Sequence, residues 1–296
     1  MRVLILGASG GFGGLIGSLL SSEGHSITGV DVAPPAERSA GRFTGFVLAD
    51  AAAPERPVLS LAAECDWIVS CMHQSATLPA FDRLAPQMKR GSLFMDVLSV
   101  KTPICSRMES ARPDIECLSI HPMFAPSVGF SRQNVAVVRV RGGRHADAVE
   151  SLLRKWGSRI HRLSAEQHDR ATTAIQAATH AAIISFGTAL SSMGYDLSGT
   201  LPISSPPHRI LLAMLARIAC GNPGVYWQVQ AENPFAEAAR SEIVAGAARF
   251  QQLASSGSQE EFSALMSSLA DLLAPAREDL LELASRALSI PLSPSE

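Results

Sequence analysis

Two groups of residues in the first half of this chain have types and spacing suited to chemistry, and a third lies in the second half. The first is a glycine-rich run, Gly7-Ala8-Ser9-Gly10-Gly11-Phe12-Gly13-Gly14, with a lone carboxylate downstream at Asp31. Glycines in such a run allow a tight turn and let the backbone approach a pyrophosphate where a Cβ would stand in the way. A helix opening on the run aims free N–H groups, and the positive end of its dipole, at phosphate oxygens. Asp31 is placed to accept hydrogen bonds from both ribose hydroxyls of a dinucleotide and to repel a 2′-phosphate, which favours NAD over NADP. The fingerprint is imperfect: Gly10 and Gly13 fit its last two glycines, but Ala8 stands at the first, with Gly7 one earlier. A P-loop is excluded, since no Lys-Ser/Thr follows the glycines. The cofactor candidates are Gly7, Ser9, Gly10, Gly11, Phe12, Gly13, Asp31 and Met72, the last just past an apolar run at Trp67–Cys71.

The second group comprises Asp96-Val97-Leu98-Ser99-Val100-Lys101 and His121-Pro122-Met123-Phe124-Ala125-Pro126, each following an apolar run. The third comprises His168-Asp169, His180 and Ser204-Ser205-Pro206-Pro207-His208-Arg209. Ligands of open α/β sheets collect at the carboxyl ends of strands, which is where the pattern puts Ser99, Lys101 and His121. Each residue also has a structural reading. His121 could cap a strand, Lys101 could be a solvated lysine at a helix start or a brace for the Ser99 loop, and His180 could be a satisfied core histidine. Arg209 could form an ion pair between domains, and His168-Asp169 reads as a brace of the domain junction.

The elements that must position these groups follow from hydrophobic period. Apolar runs at Arg2–Leu6, Ser26–Asp31, Phe46–Ala49, Trp67–Cys71, Ser92–Val97, Ile115–Ile120 and Val135–Arg141 read as strands. Helical stretches fall between several of them, at Gly13–Ser22, Ala76–Lys89 and His145–Trp156. Strands alternating with helices imply an α/β fold with a Rossmann-type, doubly wound parallel sheet. Beyond His161 nearly every segment is helical in period, broken at Gly194, Pro202–Pro207, Gly221–Pro223, Ser255–Ser258 and Pro275. The alanine-rich stretch Ala171–Ser192 reads as a buried helix. The expected organisation is a nucleotide-binding domain over 1–163 and an all-helical domain over 164–296, packed on the first and on a second copy.

With 47% hydrophobic and 18% charged residues, the chain has the composition of an ordinary globular protein. A formal charge of −2 offers no attraction to nucleic acid or an anionic membrane. No apolar run is long enough to span a bilayer. The five cysteines, Cys65, Cys71, Cys105, Cys117 and Cys220, have no paired spacing. They read as reduced thiols of a cytoplasmic protein and not as a disulfide frame or metal site. A reactive Cys71 near the cofactor is the one alternative.

These motifs, taken in order, resemble those of the prephenate dehydrogenase family, most closely the dehydrogenase part of the bifunctional chorismate mutase–prephenate dehydrogenases. The matching stretches are Ser99-Val100-Lys101, His121-Pro122-Met123-Phe124-x-Pro126 and Trp156-Gly157 followed by Ile160–Ala165 and His168-Asp169. Ile175-Gln176-Ala177 leading to His180, Ser204-Ser205-Pro206 leading to Arg209 and Leu212-Ala213-Met214, and Asn222-Pro223 before Tyr226 complete the set. Departures are Ala125 where a glycine is usual, looser matches at Gln74–Leu78 and at the C-terminus, and no mutase segment before the first strand.

The resemblance implies oxidation at ring C4 of prephenate by NAD+ with loss of CO2, giving 4-hydroxyphenylpyruvate. It assigns His121 as the base for the C4 proton, with Ser99 bonded to the same oxygen or orienting the histidine. It assigns Arg209 to a substrate carboxylate, with His180 and Lys101 as further substrate contacts, and it implies a homodimer built through the helical half. Two relatives of prephenate, 4-amino-4-deoxyprephenate and arogenate, stay open as substrates. A reading of a different class, a non-catalytic NAD-sensing module, stays open too. A short-chain dehydrogenase is excluded because neither Tyr195 nor Tyr226 has a lysine at the required offset, and a β-hydroxyacid dehydrogenase because no lysine follows Lys155.

Overall fold

The computed structural model describes residues 1–35 and 41–290. It divides into two compact units, Met1–Thr172 and the residues from Thr173 onward. In the first unit eight strands form one sheet. They are β1 (Arg2–Leu6), β2 (Ser26–Asp31), β3 (Gly45–Leu48), β4 (Trp67–Ser70), β5 (Leu93–Asp96), β6 (Glu116–Pro122), β7 (Asn134–Arg141) and β8 (Arg159–Arg162). The sheet order is β3-β2-β1-β4-β5-β6-β7-β8. The order reverses between β1 and β4, and this is where an open sheet leaves a crevice for a ligand. The helices of this unit are α1 (Gly11–Ser22), α2 (Arg56–Glu64), α3 (Gln74–Leu84), α4 (Thr102–Ser110), α5 (Arg144–Lys155) and α6 (Ala165–Thr172).

Strand period explains why the sheet is buried on both faces. Val3 and Ile5 of β1, Trp67 and Val69 of β4, and Leu93 and Met95 of β5 join one apolar layer with Ile16 and Leu20 of α1 and Val149 and Leu153 of α5. Their neighbours Leu4, Leu6, Ile68 and Phe94 join the opposite layer, with Val58 of α2, Phe81 and Leu84 of α3, and Ile104 and Met108 of α4. Side chains of successive strand residues point to opposite faces, so a continuous apolar run fills both layers. Each such side chain, fully buried, is worth roughly 1.5–3 kcal/mol.

The expected parallel sheet needs one correction. β6 and β7 pair antiparallel, with His121 opposite Ala136 and Ile120 opposite Val137. Their connection carries only the short 3-10 turn Pro126–Val128, and a parallel return would need a full crossover. β8 pairs parallel to β7 and the sequence pattern misses it. Its stretch Arg-Ile-His-Arg has one apolar residue, as suits an edge strand.

The second unit is helical. It opens with a π-type turn, Thr173–Ala178, and continues through α7 (Thr179–Ser192), α8 (Leu197–Thr200), α9 (Pro206–Ala219), α10 (Pro223–Ala231), α11 (Ala236–Ser256), α12 (Gln259–Leu273) and α13 (Arg277–Leu288). Gly187 lets α7 approach α9 closely: a Cβ there would stand 2.6 Å from Leu215. The unit's own core is small, built on Ala177, Val229 and Ala236. Only Ile183 of α7 is buried, so within one chain this helix is far more exposed than its alanine-rich pattern predicts. α12 and α13 bury no residue, and Phe262, Met266, Leu269, Leu272, Leu281 and Leu283 stand exposed on them.

Candidate active site

The glycine run closes the carboxyl end of β1. Gly7 has φ +74°, and a Cβ there would lie 2.9 Å from the Cys71 carbonyl oxygen at the end of β4. A Cβ on Gly13 would lie 2.1 Å from the Gly7 carbonyl oxygen. Ala8 departs from the fingerprint without harm, because the left-handed residue is Gly7 and the Ala8 methyl is buried against Gly29. α1 begins on Gly10 with no side-chain cap, so the N–H groups of its first turn have no partner within the helix. Asp31 ends β2 with one carboxylate oxygen 2.9 Å from the Ser9 N–H and the other 3.1 Å from the Ala33 N–H. This is a cradle that fits a dinucleotide: side-chain-free backbone at the pyrophosphate position, a helix N-terminus behind it and a carboxylate at the ribose position.

The second motif lies against this cradle. Pro126 stands 2.9 Å from where a Gly11 Cβ would be, and the Phe12 and Phe124 rings meet edge-on at 6.0 Å. Met72, after β4, has its Cγ 3.0 Å from the Cβ position of Gly7. Desolvation raises the pKa of the Cys71 thiol, and Asp96 adds to the shift, which disfavours the thiolate that a nucleophile needs.

His121 ends β6 and is only 4% exposed. Its Nδ1 lies 2.9 Å from Nε2 of His168, and Nδ1 of His168 lies 2.8 Å from Oδ1 of Asp169. Asp169 also accepts from the Lys101 N–H at 2.8 Å, the Thr102 N–H at 2.8 Å and the Thr102 hydroxyl at 2.6 Å. Burial alone would raise the Asp169 pKa, but the hydrogen bonds from His168, Thr102 and the two backbone amides hold it below the usual carboxylate value. Burial lowers the His121 pKa well below that of free imidazole, and the neighbouring His168 and Lys101 push the same way. Burial lowers that of His168 too, against the pull of Asp169.

These shifts assign the protons. An ionised Asp169 can only accept, so His168 carries its proton on Nδ1 and offers a lone pair at Nε2. His121 must then donate from Nδ1, which leaves the lone pair of a neutral imidazole at its Nε2. The side chain of Ser99, half-buried after β5, makes no hydrogen bond among the described residues. His168, and not Ser99, therefore orients the histidine. The sequence places His168-Asp169 at a domain junction and misses this contact. Adjacent helix residues ordinarily point apart, and nothing in their spacing signals a bond to a strand end 47 residues earlier.

Lys101 is corrected by the structure. Its side chain is fully buried, with Nζ 3.0 Å from Oδ1 of Asp96 and 2.7 Å from the Ile120 carbonyl oxygen. An ammonium so enclosed cannot reach a substrate carboxylate. It ties the end of β5 to the residue before His121, the brace that was the alternative reading.

His180 and Arg209 belong to the second unit. His180 packs edge-on to Tyr226 at 5.0 Å, and its buried Nδ1 has no hydrogen-bond partner among the described residues. Burial, with Arg217 nearby, lowers its pKa. Arg209, half-exposed at the start of α9, makes no ion pair or side-chain hydrogen bond among the described residues. No cluster of metal-ligating side chains occurs among the described residues.

A dinucleotide cradle beside a buried neutral histidine, followed by a helical unit, defines a dehydrogenase of the two-part Rossmann class. Comparison with known proteins narrows the class. Residues 16–137 match the prephenate dehydrogenase nucleotide-binding domain, and residues 164–268 match the prephenate dehydrogenase dimerization domain. The chain is 35% identical over 287 residues to a 4-amino-4-deoxyprephenate dehydrogenase of Streptomyces pristinaespiralis, covering 96% of this chain and 95% of that protein. It is 29% identical over 229 residues to the T-protein of Haemophilus influenzae, covering 76% of this chain and 54% of that protein. The crystal structure of prephenate dehydrogenase from A. aeolicus in complex with hydroxyphenyl propionate and NAD+ shares the fold, with TM-score 0.70 at 15% identity over 96% of this chain and 98% of that one. The chain belongs to the prephenate dehydrogenase family.

Proposed function

We propose that this protein oxidises a prephenate-type cyclohexadiene at ring C4 with NAD+, with loss of CO2, and that its preferred substrate is 4-amino-4-deoxyprephenate. The observation that carries the reaction is the buried His121, its Nδ1 bonded to His168, at a strand end beside the dinucleotide cradle. The preference for the amine rests on the relative that matches nearly the whole of both chains. Prephenate, the substrate the family resemblance implies, and arogenate are the competing substrates.

Gly7, Ser9, Gly10, Gly11, Phe12 and Gly13 would hold the pyrophosphate, Asp31 the adenine ribose, and Met72 would pack beside the cradle. NAD+, when bound, supplies the acceptor for the hydride that leaves C4. His121 takes a proton from the C4 substituent at Nε2. With a hydroxyl at C4, His121 returns that proton to the oxygen once CO2 has left and the ring has become a phenol. With an ammonium at C4, one proton must leave nitrogen before the carbon can release hydride, and the aromatic amine formed has no need of it back. Ser99 donates to or accepts from the same C4 group. Arg209, with no carboxylate partner among the described residues, offers a planar fork to a substrate carboxylate, and His180 a second polar contact.

The test is a side-by-side steady-state assay of NADH formation with the three substrates. A kcat/KM for the amine at least tenfold above that for prephenate is expected. A reversed preference would assign prephenate, and no turnover of any of them, with NAD still bound, would leave the sensing module. The exposed apolar side chains of α12 and α13, with the dimerization-domain match, support a homodimer through the helical half. A monomeric mass by light scattering would refute it. Among the described residues the cysteines are all unpaired thiols, and no single helix is long and apolar enough to cross a membrane. Both support a cytoplasmic location, which fractionation of cells would check.

A further inference from the structure

The chain His121–His168–Asp169 has more order than a single hydrogen-bonded base requires. All three side chains are buried, at 4%, 1% and 0% exposure. The terminal carboxylate is anchored at four donors: two backbone N–H groups, a hydroxyl and the His168 ring. The backbone donors belong to the start of α4, so the element that fixes Asp169 is the loop that also carries Ser99 and Lys101. Lys101 and Asp96, which also face the rings, are bonded to each other. Asp169 is the negative group bonded to His168, and His121 meets it through that ring.

We propose that His168 and Asp169 select the nitrogen of His121 that acts as base and hold the imidazolium formed when His121 takes the C4 proton. This rests on the reading of His121 as the base. The proton moves from the C4 oxygen or nitrogen to Nε2 of His121. The His121 Nδ1–H, now on a cation, strengthens its bond to the His168 lone pair, and Asp169 balances the charge through the His168 Nδ1–H. No covalent bond other than N–H or O–H changes in this step. His168 is thus a positioning residue. Without an acceptor at Nδ1, the proton of neutral His121 is free to sit on Nε2, where it blocks the base.

The contrast of His168→Leu with His168→Gln tests this. Glutamine can place its carbonyl oxygen near the position of Nε2 and accept from His121, whereas leucine fills similar space and accepts nothing. The expected result is a kcat at least about 100-fold lower for the leucine variant, and at most about the 10,000-fold that a wrong histidine tautomer costs, with substrate KM and NAD affinity unchanged. Glutamine should recover most of the loss. The kcat–pH profile, set by His121 facing His168, Lys101, Asp96 and Asp169, should shift its acid limb in the leucine variant and return toward its original position with glutamine. Equal losses in both variants with an unmoved pH profile would make His168 a packing residue, and full activity of the leucine variant would also overturn the proposal. NAD binding by the purified variants verifies folding. His121→Asn separates the two levels: if it retains turnover, the base assignment itself is wrong, and if it abolishes turnover while both His168 variants stay active, only the relay is wrong.

Discussion

Replacing Lys101 with methionine removes an ammonium from a site where nothing else can take its place. Nζ donates to Oδ1 of Asp96 and to the Ile120 carbonyl, and neither the Lys101 nor the Asp96 side chain has any exposure. Among the described residues Oδ2 of Asp96 already lacks a partner, and without Lys101 the carboxylate keeps only the Leu98 N–H. Breaking one side of a buried ion pair costs about 3–5 kcal/mol, because the surviving charge stays desolvated. A domain of this size loses about 2–4 °C per kcal/mol, so the expected fall in melting temperature is about 6–20 °C. The double variant Lys101→Met/Asp96→Asn removes both charges and should recover a good part of that loss, since replacing a whole buried pair is often near neutral. Differential scanning fluorimetry of the single and double variants reads the stability. Steady-state kinetics well below the melting point reads the role, and substrate KM should be near that of the unmodified enzyme. A melting temperature within a degree or two of the parent with KM raised tenfold or more would refute the brace and return Lys101 to the substrate.

Gly13→Ala should abolish NAD binding, because its Cβ would meet the Gly7 carbonyl oxygen at 2.1 Å, while Gly14→Ala, with nothing within 4 Å, should bind NAD as before; titration of NAD by fluorescence separates them. Stability should fall as pH drops below about 6.5, the unfolded histidine value, since folding holds His121 and His168 neutral and the unfolded chain binds more protons. The slope is up to about 1.4 kcal/mol per pH unit for each histidine, and a melting temperature flat from pH 7 to 5 would contradict the assignment. Arg209→Ala should raise substrate KM by tenfold or more with NAD affinity unchanged, and Arg209→Lys should recover little, because a point charge does not reproduce a bidentate fork.

The parts of the fold that follow one local rule are legible in the sequence. β1 reads from five residues because both faces of a central parallel strand are apolar, and α1 reads from the glycine run because the turn's chemistry and the helix start coincide. β8 does not read, because an edge strand with Arg159 and Arg162 owes its place to pairing with β7 and not to its own pattern. The antiparallel return of β7 is hidden for a similar reason: strand period is the same in either direction, and only the missing crossover helix between β6 and β7 betrays it. In the site, Gly7, Asp31, Ser99 and His121 stand out by type and by position at strand ends. The partnership of His121 with His168 depends on how α6 packs over those strand ends, which no spacing encodes.

Lys101 and Arg209 show how much of a cation's role lies in its surroundings. As letters they are equal candidates for a dicarboxylate substrate, and both open a helix. The difference is what each helix start meets. At the head of α4, Asp96 has ended a buried strand and the Ile120 carbonyl lies open beside it, so an ammonium on a flexible stem is drawn inward and satisfied there. At the head of α9, Arg209 meets no acid among the described residues, and a guanidinium left half-exposed without a partner is the form in which a protein keeps charge for a ligand. The same contrast separates the histidines: His121 has its Nδ1 committed to His168, whereas the buried Nδ1 of His180 has no partner among the described residues. A committed nitrogen fixes a base, and an uncommitted one waits for a hydrogen-bond partner to arrive. That difference is what underlies the proposed division, with His121 in the proton transfer and His180, with Arg209, in recognition.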